Sequence, residues 1–141
     1  YGPGQNLKNL SQGMLSIYLA QAIEGKNIIV KGSLDRSRDF VHIFDVLRFL
    51  KKIENNQKLF NKEINICSGK EVKVSEIIEL ISNLLNKKLI IIEKEGTSGD
   101  IKRMLGCTKL LEELTGIKTE INLEEGIKSM IESLKNENYF S

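Results

Sequence analysis

Stretches with helical hydrophobic periodicity alternate with short apolar runs along this chain, and this alternation restricts its fold more than any other feature. Five stretches repeat apolar residues at three- and four-residue spacing, which is typical of helices that bury one face. Four shorter runs have the length and residue types of β-strands. The order is helix, strand, strand, helix, strand, helix, strand, helix, helix. We therefore expect one α/β domain over residues 1–141, with a small sheet of mixed strand directions and flanking helices.

Capping residues and apolar stripes delimit the predicted helices. The first spans residues 12–24 and ends at Gly25, while Asp45 and Ser75 are the expected N-caps of the second and third. Thr108 is the expected cap of a short fourth helix, which ends at Gly116. Asn122 and Glu125 are expected to cap the fifth helix reciprocally. The residues expected to be buried include Met14, Leu15, Tyr18 and Leu19 in the first helix, Val46, Phe49, Leu50 and Ile53 in the second, Ile77, Ile78, Ile81, Leu84 and Leu85 in the third, and Leu123, Ile127, Met130, Ile131 and Leu134 in the fifth.

The predicted strands are short runs rich in β-branched and aromatic residues. The last of them is apolar without interruption, which indicates a strand buried on both faces. The predicted strands cover residues 27–30, 39–43, 63–67 and 89–93.

Composition excludes several classes of function. The 21 Lys and Arg residues nearly balance 19 Asp and Glu, so we expect neither nucleic acid nor a membrane surface as a partner. Cys67 and Cys107 lie forty residues apart and His42 is the single histidine, which argues against a zinc site. No apolar stretch is long enough to span a membrane, and we expect a cytoplasmic protein with reduced thiols.

Residues 36–46, RSRDFVHIFDV, concentrate charge around a short apolar run. Arg36 and Arg38 follow a glycine-containing turn, where guanidinium groups can bind a phosphate through paired hydrogen bonds. In the alternative interpretation, Arg38 pairs with Asp39 or Asp45 while Arg36 faces water. The spacing alone leaves both interpretations open.

Other polar residues add little to this candidate anion site. Asp100, in the segment TSGD, can accept hydrogen bonds from ligand hydroxyls or stabilise its own turn. We expect His42, Cys67 and Cys107 to be structural. The residues by themselves thus indicate an α/β domain with one candidate anion site.

Five blocks in the sequence are familiar in their order and spacing: YGPGQN, RDFVHIFDV, NICSGKEVKVSEIIELI, SGDIKRMLGCTKLLEELTG and INLEEGIKSMIESL. They resemble the carboxy-terminal half of the NAD-dependent epimerase and dehydratase family, the extended short-chain dehydrogenases that modify nucleotide sugars. The most specific block is RDFVHIFDV. The resemblance covers nearly the whole chain.

The resemblance implies that the two halves of such an enzyme have different roles. In that family the amino-terminal half is a Rossmann domain that binds NAD through a glycine-rich turn and carries a catalytic Tyr-x-x-x-Lys pair. Neither feature occurs in this sequence. We therefore expect residues 1–141 to be the substrate-binding region, with no catalytic, cofactor or metal site of their own and no turnover alone. NAD would belong to the parent enzyme, and the face left by its other half would favour association or a homo-oligomer.

Carried over residue by residue, the resemblance implies a site for a nucleotide diphosphate sugar. Arg38 would bind the diphosphate, helped by Arg36 or Lys31, and Asp100 would bind the ribose hydroxyls. Many members have a second phosphate-binding arginine three residues before the aspartate, where this chain has Thr97. The other implied contacts are Ile29, Val30 and Lys31 against the base, Val74 below it, and Phe40 beside Arg38.

Two other functions remain open at this stage. The first is a stand-alone module that binds nucleotide sugars without converting them, and the second is a non-catalytic fragment that docks on another chain. The sequence does not distinguish epimerase from dehydratase or reductase, nor does it identify the sugar or the base.

Overall fold

The computed structural model describes residues 1–8, 13–54, 56–96 and 98–136. The predicted order of helices and strands is confirmed in this part of the chain. The helices are α1 (Met14–Ile23), α2 (Ile43–Ile53), α3 (Val74–Leu85), α4 (Lys109–Thr115) and α5 (Leu123–Asn136), and a short 3-10 helix covers Gln57–Leu59. The strands are β1 (Ile28–Lys31), β2 (Ser37–Asp39), β3 (Glu71–Lys73) and β4 (Ile91–Lys94).

The strands form two separate two-stranded sheets. β1 pairs with β4 in parallel, from Ile28 opposite Ile91 to Lys31 opposite Lys94. β2 and β3 are antiparallel, with Asp39 opposite Glu71. The expected α/β class with mixed strand directions is therefore confirmed.

The main core lies between α1, β1, α3 and α5. Leu19, Ile28, Ile77 and Ile127 contribute one fully buried side chain from each of these elements. Most residues of the predicted stripes of α3 and α5 are buried, but Leu84, Leu85 and Leu123 are only partly buried. Leu15, Tyr18 and Leu19 of α1 are buried as expected, and Met14 is partly buried. Because α1 and β1 are fixed by this core, the surface between them is a stable platform for a binding site.

The predicted strand over residues 39–43 is wrong, because helix α2 begins at Ile43. His42 has extended backbone dihedrals and caps this helix, its Nδ1 accepting the N–H of Phe44 at 3.3 Å. Asp45, the expected cap, lies in the first turn instead and is fully buried. The expected burial of α2 is only partly correct, since Phe49 is buried but Leu50 is half exposed.

The predicted strand over residues 63–67 is also wrong, since the corresponding strand β3 lies at Glu71–Lys73. Within the described part of the chain, the backbone of residues 63–67 makes no hydrogen bond to another backbone group. A run of strand-forming residues becomes a strand only where a neighbouring strand pairs with it.

The strand predicted over residues 89–93 exists as β4, but its expected burial on both faces is wrong. All of its residues are exposed to some degree, and Ile91 is 40% exposed. β4 is an edge strand that pairs only with β1. Neither of its faces is buried as the faces of a central strand are.

The predicted caps of the later helices have mixed outcomes. Ser75 lies inside α3, which Lys73 precedes as the N-cap residue, and Glu76 accepts the backbone N–H of Lys73 at 2.9 Å. Thr108 precedes α4, but its hydroxyl donates to a glutamate side chain and caps no backbone group. The reciprocal cap of α5 is confirmed, since Asn122 and Glu125 accept each other's backbone N–H at 2.9 and 3.2 Å.

Candidate substrate-binding cleft

An open cleft of about 560 Å³ lies between α1 and the start of the first sheet. β1 contributes Ile29 and Lys31, which share one face of the strand because side chains alternate. The intervening Val30 points the other way and is fully buried. The lining residues are Gly13, Met14, Ile17, Tyr18, Gln21, Ile29, Lys31 and Arg36.

The cleft has an apolar part and a cationic part. Met14, Ile17 and Ile29 supply apolar surface, whereas Lys31 and Arg36 supply positive charge. Consecutive residues on one face of a strand are about 7 Å apart, so the two parts are separated by roughly the width of a small ring. This arrangement suits a ligand with a flat apolar group at one end and an anionic group at the other.

Two arginines converge on Asp100 beside the cationic part of the cleft. Arg36 Nη1 donates to Oδ2 of Asp100, and Arg38 Nη2 donates to Oδ1 at 3.3 Å. The side chains of Arg36, Arg38 and Asp100 are only 10%, 16% and 21% exposed. Backbone carbonyls hold both guanidinium groups further, because Arg36 donates to Ser33 and Arg38 to Ser37. We call Arg36, Arg38 and Asp100 the arginine–aspartate cluster.

The cluster corrects the alternative interpretation of the arginines. Arg36 does not face water, and neither Asp39 nor Asp45 pairs with Arg38. Two guanidinium groups share one carboxylate, and Lys31 lines the cleft together with Arg36. The excess positive charge, held in a partly desolvated place, favours the binding of an anion such as a phosphate.

Gly32 makes room for this cluster. Its φ of +91° lies in the left-handed region, and a Cβ here would stand 2.9 Å from Oδ2 of Asp100 and 3.1 Å from Cζ of Arg36. Any larger residue at this position would therefore be strained and would displace the ion pair. The turn after β1 needs glycine both for its backbone and for the space beside it.

Helix α1 supplies cleft residues that sequence reasoning did not assign to the site. Tyr18 was expected only as a core residue, and Gln21 was not singled out. Burial raises the pKa of the Tyr18 hydroxyl, and the positive charge of Arg36 partly offsets this effect. The Gln21 side chain accepts the backbone N–H of Ile29 at 3.0 Å. A polar residue on the otherwise apolar α1 stripe was the available signal for Gln21.

The remaining expected contacts lie outside the cleft lining. Val30 and Val74 are fully buried in the core. Phe40 is partly buried, and its ring meets that of Tyr1 edge-on with centroids 6.2 Å apart. Thr97 lies outside the described residues. The structure thus places Ile29, Lys31 and Arg36 on the cleft lining, and Arg36 pairs with Asp100, which Arg38 also contacts outside the lining.

The two aspartates of the RSRDFVHIFDV segment accept hydrogen bonds mainly from backbone N–H groups, and neither pairs with Arg36 or Arg38. Asp39 accepts backbone N–H groups from Ser68 at 2.7 Å, Gly69 at 2.9 Å and Gly106 at 3.2 Å. Asp45 accepts those of Glu120 and Ile121 at 3.1 Å and pairs with Arg48. Each aspartate therefore ties together segments that are distant in sequence.

His42 and the cysteines have surroundings that agree with structural roles. His42 is buried beside Tyr1, with ring centroids 5.2 Å apart, and Cys67 is buried while Cys107 is exposed. In the described ranges, no cluster of three or more His, Cys, Asp or Glu residues is placed to hold a metal ion. The helices described here are all too short or too polar to cross a membrane.

Comparison with known proteins places this cleft in a family context. Residues 1–67 match the NAD dependent epimerase/dehydratase family. Over 138 residues, the chain is 32% identical to a protein of Methanocaldococcus jannaschii named "Putative UDP-glucose 4-epimerase". By these two matches, the chain is similar to the NAD dependent epimerase/dehydratase family. The alignment covers 98% of this chain but 44% of the relative, so the chain spans less than half of that protein's length.

Solved structures of epimerases have the same fold. UDP-glucose 4-epimerase of Thermotoga maritima, crystallised with UDP-glucose, superposes with a TM-score of 0.89 at 23% identity, covering 97% of this chain and 43% of that one. UDP-glucuronic acid 4-epimerase of Bacillus cereus, in complex with UDP-glucuronic acid and NAD, gives 0.86 at 20% identity, covering 96% and 42%. At these identities the likeness establishes the fold alone.

Proposed function

We propose that this chain is the substrate-binding region of an NAD-dependent enzyme that modifies nucleotide sugars, and that the cleft beside α1 holds the nucleotide diphosphate sugar. The observation that carries this proposal is a cleft that combines an apolar wall with Lys31 and Arg36, beside the carboxylate of Asp100 that Arg36 shares with Arg38. Relatives named for UDP-sugars and a neighbour crystallised with UDP-glucose support it.

The cleft suggests how such a ligand would lie. The diphosphate would bind at Lys31, Arg36 and Arg38, where guanidinium groups are held in place before the ligand arrives. The base would pack on Ile29 and the apolar residues of α1. Asp100 keeps lone pairs that can accept ribose hydroxyls, because each of its oxygens takes one arginine hydrogen bond.

NAD would serve the complete enzyme by accepting a hydride from the sugar and returning it. The described residues contain no glycine-rich turn that follows a strand and opens a helix, so they do not fit a dinucleotide of the Rossmann type. We therefore assign these residues binding and orientation of the sugar nucleotide, which is the positioning contribution to catalysis.

Calorimetric titration of the 141-residue protein with UDP-glucose tests the proposal. Lys31→Ala and Arg38→Ala should each weaken binding by about 1.5–3 kcal/mol, the range for a hydrogen bond to a charged group. Arg36→Ala should cost as much, because Arg36 lines the cleft. Lys109→Ala is the control, since this lysine is exposed on α4 and outside the cleft. Equal effects of Lys31→Ala and Lys109→Ala would refute the assignment.

A specific surface also favours association with another protein surface. Ile43, Phe44, Leu47 and Leu50 share one side of α2, and each is 37–51% exposed. We call these four residues the α2 apolar face. We propose that the NAD-binding part of the enzyme covers this face, and that isolated chains bury it against each other. Cytoplasmic location, expected from the sequence, stays a prediction.

A further inference from the structure

Gln21 has a fixed orientation in the cleft. It lies on α1 one turn beyond Ile17 and Tyr18, and its Oε1 accepts the backbone N–H of Ile29 at 3.0 Å. An N–H group requires an acceptor, so the amide oxygen must face the strand and the Nε2 group must face away from it. Among the described residues, no group accepts a hydrogen bond from Nε2 of Gln21.

This Nε2 group is also accessible to a ligand. Gln21 lines the cleft and is partly exposed. Because Nε2 has no hydrogen-bond partner among the described residues and yet is not one of the buried polar atoms without a partner, it is accessible to solvent. Gln21 is hydrogen-bonded to Ile29 of the apolar part, and Ile29 precedes Lys31 by two residues on the same face of β1. A ligand whose phosphates bind the cationic part therefore presents its base to a hydrogen-bond donor.

We propose that Gln21 selects the base of the bound nucleotide by donating from Nε2 to the carbonyl oxygen that uracil and thymine carry at C4 and guanine carries at C6. The inference rests on the proposed binding of a nucleotide diphosphate sugar. Uracil, thymine and guanine carry a carbonyl where cytosine and adenine carry an amino group. A fixed donor stabilises the carbonyl and leaves two donors facing each other when an amino group takes its place. The substrate class is therefore a sugar nucleotide whose base carries this carbonyl.

Titration with UDP and CDP tests the selection, since uracil carries a carbonyl oxygen at C4 and an N–H at N3 where cytosine carries an amino group and an acceptor nitrogen. The protein should bind UDP about ten-fold more tightly than CDP, the ratio expected for one hydrogen bond gained or opposed. Gln21→Glu keeps an oxygen for the N–H of Ile29 but replaces the donor with an acceptor. The UDP to CDP affinity ratio of this variant should fall below one, whatever its overall affinity.

Controls separate base selection from general effects. Gln57→Glu introduces the same charge at an exposed glutamine outside the cleft, and its ratio should equal that of the unmodified protein. Gln21→Ala should give a ratio near one. Equal binding of UDP and CDP by the unmodified protein, or an unchanged ratio in Gln21→Glu, would overturn the role of Gln21 but leave the proposed function intact. If neither nucleotide binds, both proposals fail.

Discussion

Arg36 donates a hydrogen bond to the carboxylate of Asp100, which lies 64 positions further along the chain. The pair closes the cationic part of the cleft and places a nearly buried guanidinium group on its wall. Arg38 reaches the second oxygen of the same carboxylate, so Asp100 orients both arginines. Asp100 thus determines both the orientation of the two arginines and the net charge beside the cleft.

We expect Asp100→Asn to lower the free energy of unfolding by about 1.5–3 kcal/mol, because it removes a charged partner from two largely buried guanidinium groups. Urea denaturation followed by circular dichroism measures this change. Asp35→Asn is a suitable control, since Asp35 pairs with Lys73 at 3.2 Å on the surface. It should cost less than about 1 kcal/mol, and an equal loss in both variants would contradict the role of the cluster.

The stability of the protein should fall as the pH drops below 6.5. Burial lowers the pKa of His42 from its ordinary value of 6.5, so the unfolded chain binds a proton at a higher pH than the folded one. Stability is complete above pH 6.5 and is lost progressively as the pH falls toward the lower pKa. The structural cause is visible at Nδ1, which accepts the N–H of Phe44 and loses this role when protonated.

The variant His42→Asn isolates this effect. Asparagine is a good N-cap but does not titrate, so the helix start is preserved while the proton linkage is removed. Urea denaturation of both proteins at several pH values should show a smaller pH dependence for the variant between pH 5 and 7. Parallel pH profiles would mean that other groups control stability in this range.

The α2 apolar face predicts that the isolated chain associates as its concentration rises. Leu47→Glu should shift the protein toward monomer and change stability by less than about 0.5 kcal/mol, because Leu47 is half exposed. Size-exclusion chromatography with light scattering over a tenfold concentration range measures the assembly. Lys52→Glu, exposed elsewhere on the same helix, should leave association unchanged. A monomer at every concentration before mutation would contradict the proposed association.

The helices could be predicted from the sequence better than the strands. A helix carries several turns of periodic pattern, and the buried stripes of α3 and α5 repeat over three turns or more. Short apolar runs carry less information, and whether they form strands depends on neighbours. Residues 39–43 were predicted as one strand, but in the structure β2 ends at Asp39 and α2 begins at Ile43, because the imidazole of His42 caps α2.

The site could be predicted in part for a similar reason. Arg38 and Asp100 were assigned by resemblance, whereas the burial of Arg36 depends on a partner far along the chain that periodicity does not reveal. Gln21 has a role only because α1 and β1 lie side by side, which places its amide against Ile29. The local signal of Gln21, a polar residue on an apolar stripe, does not by itself indicate this role.

The long sequence separation within the arginine–aspartate cluster also determines when the cleft can assemble during synthesis. Every residue that lines the cleft lies at or before position 36, so all of them leave the ribosome well before Asp100 is made. Until Asp100 has been made, Arg36 and Arg38 lack the carboxylate that they share in the folded protein. Closing a loop of this size is slow compared with forming α1, so the binding surface should be among the last parts of the fold to become ordered.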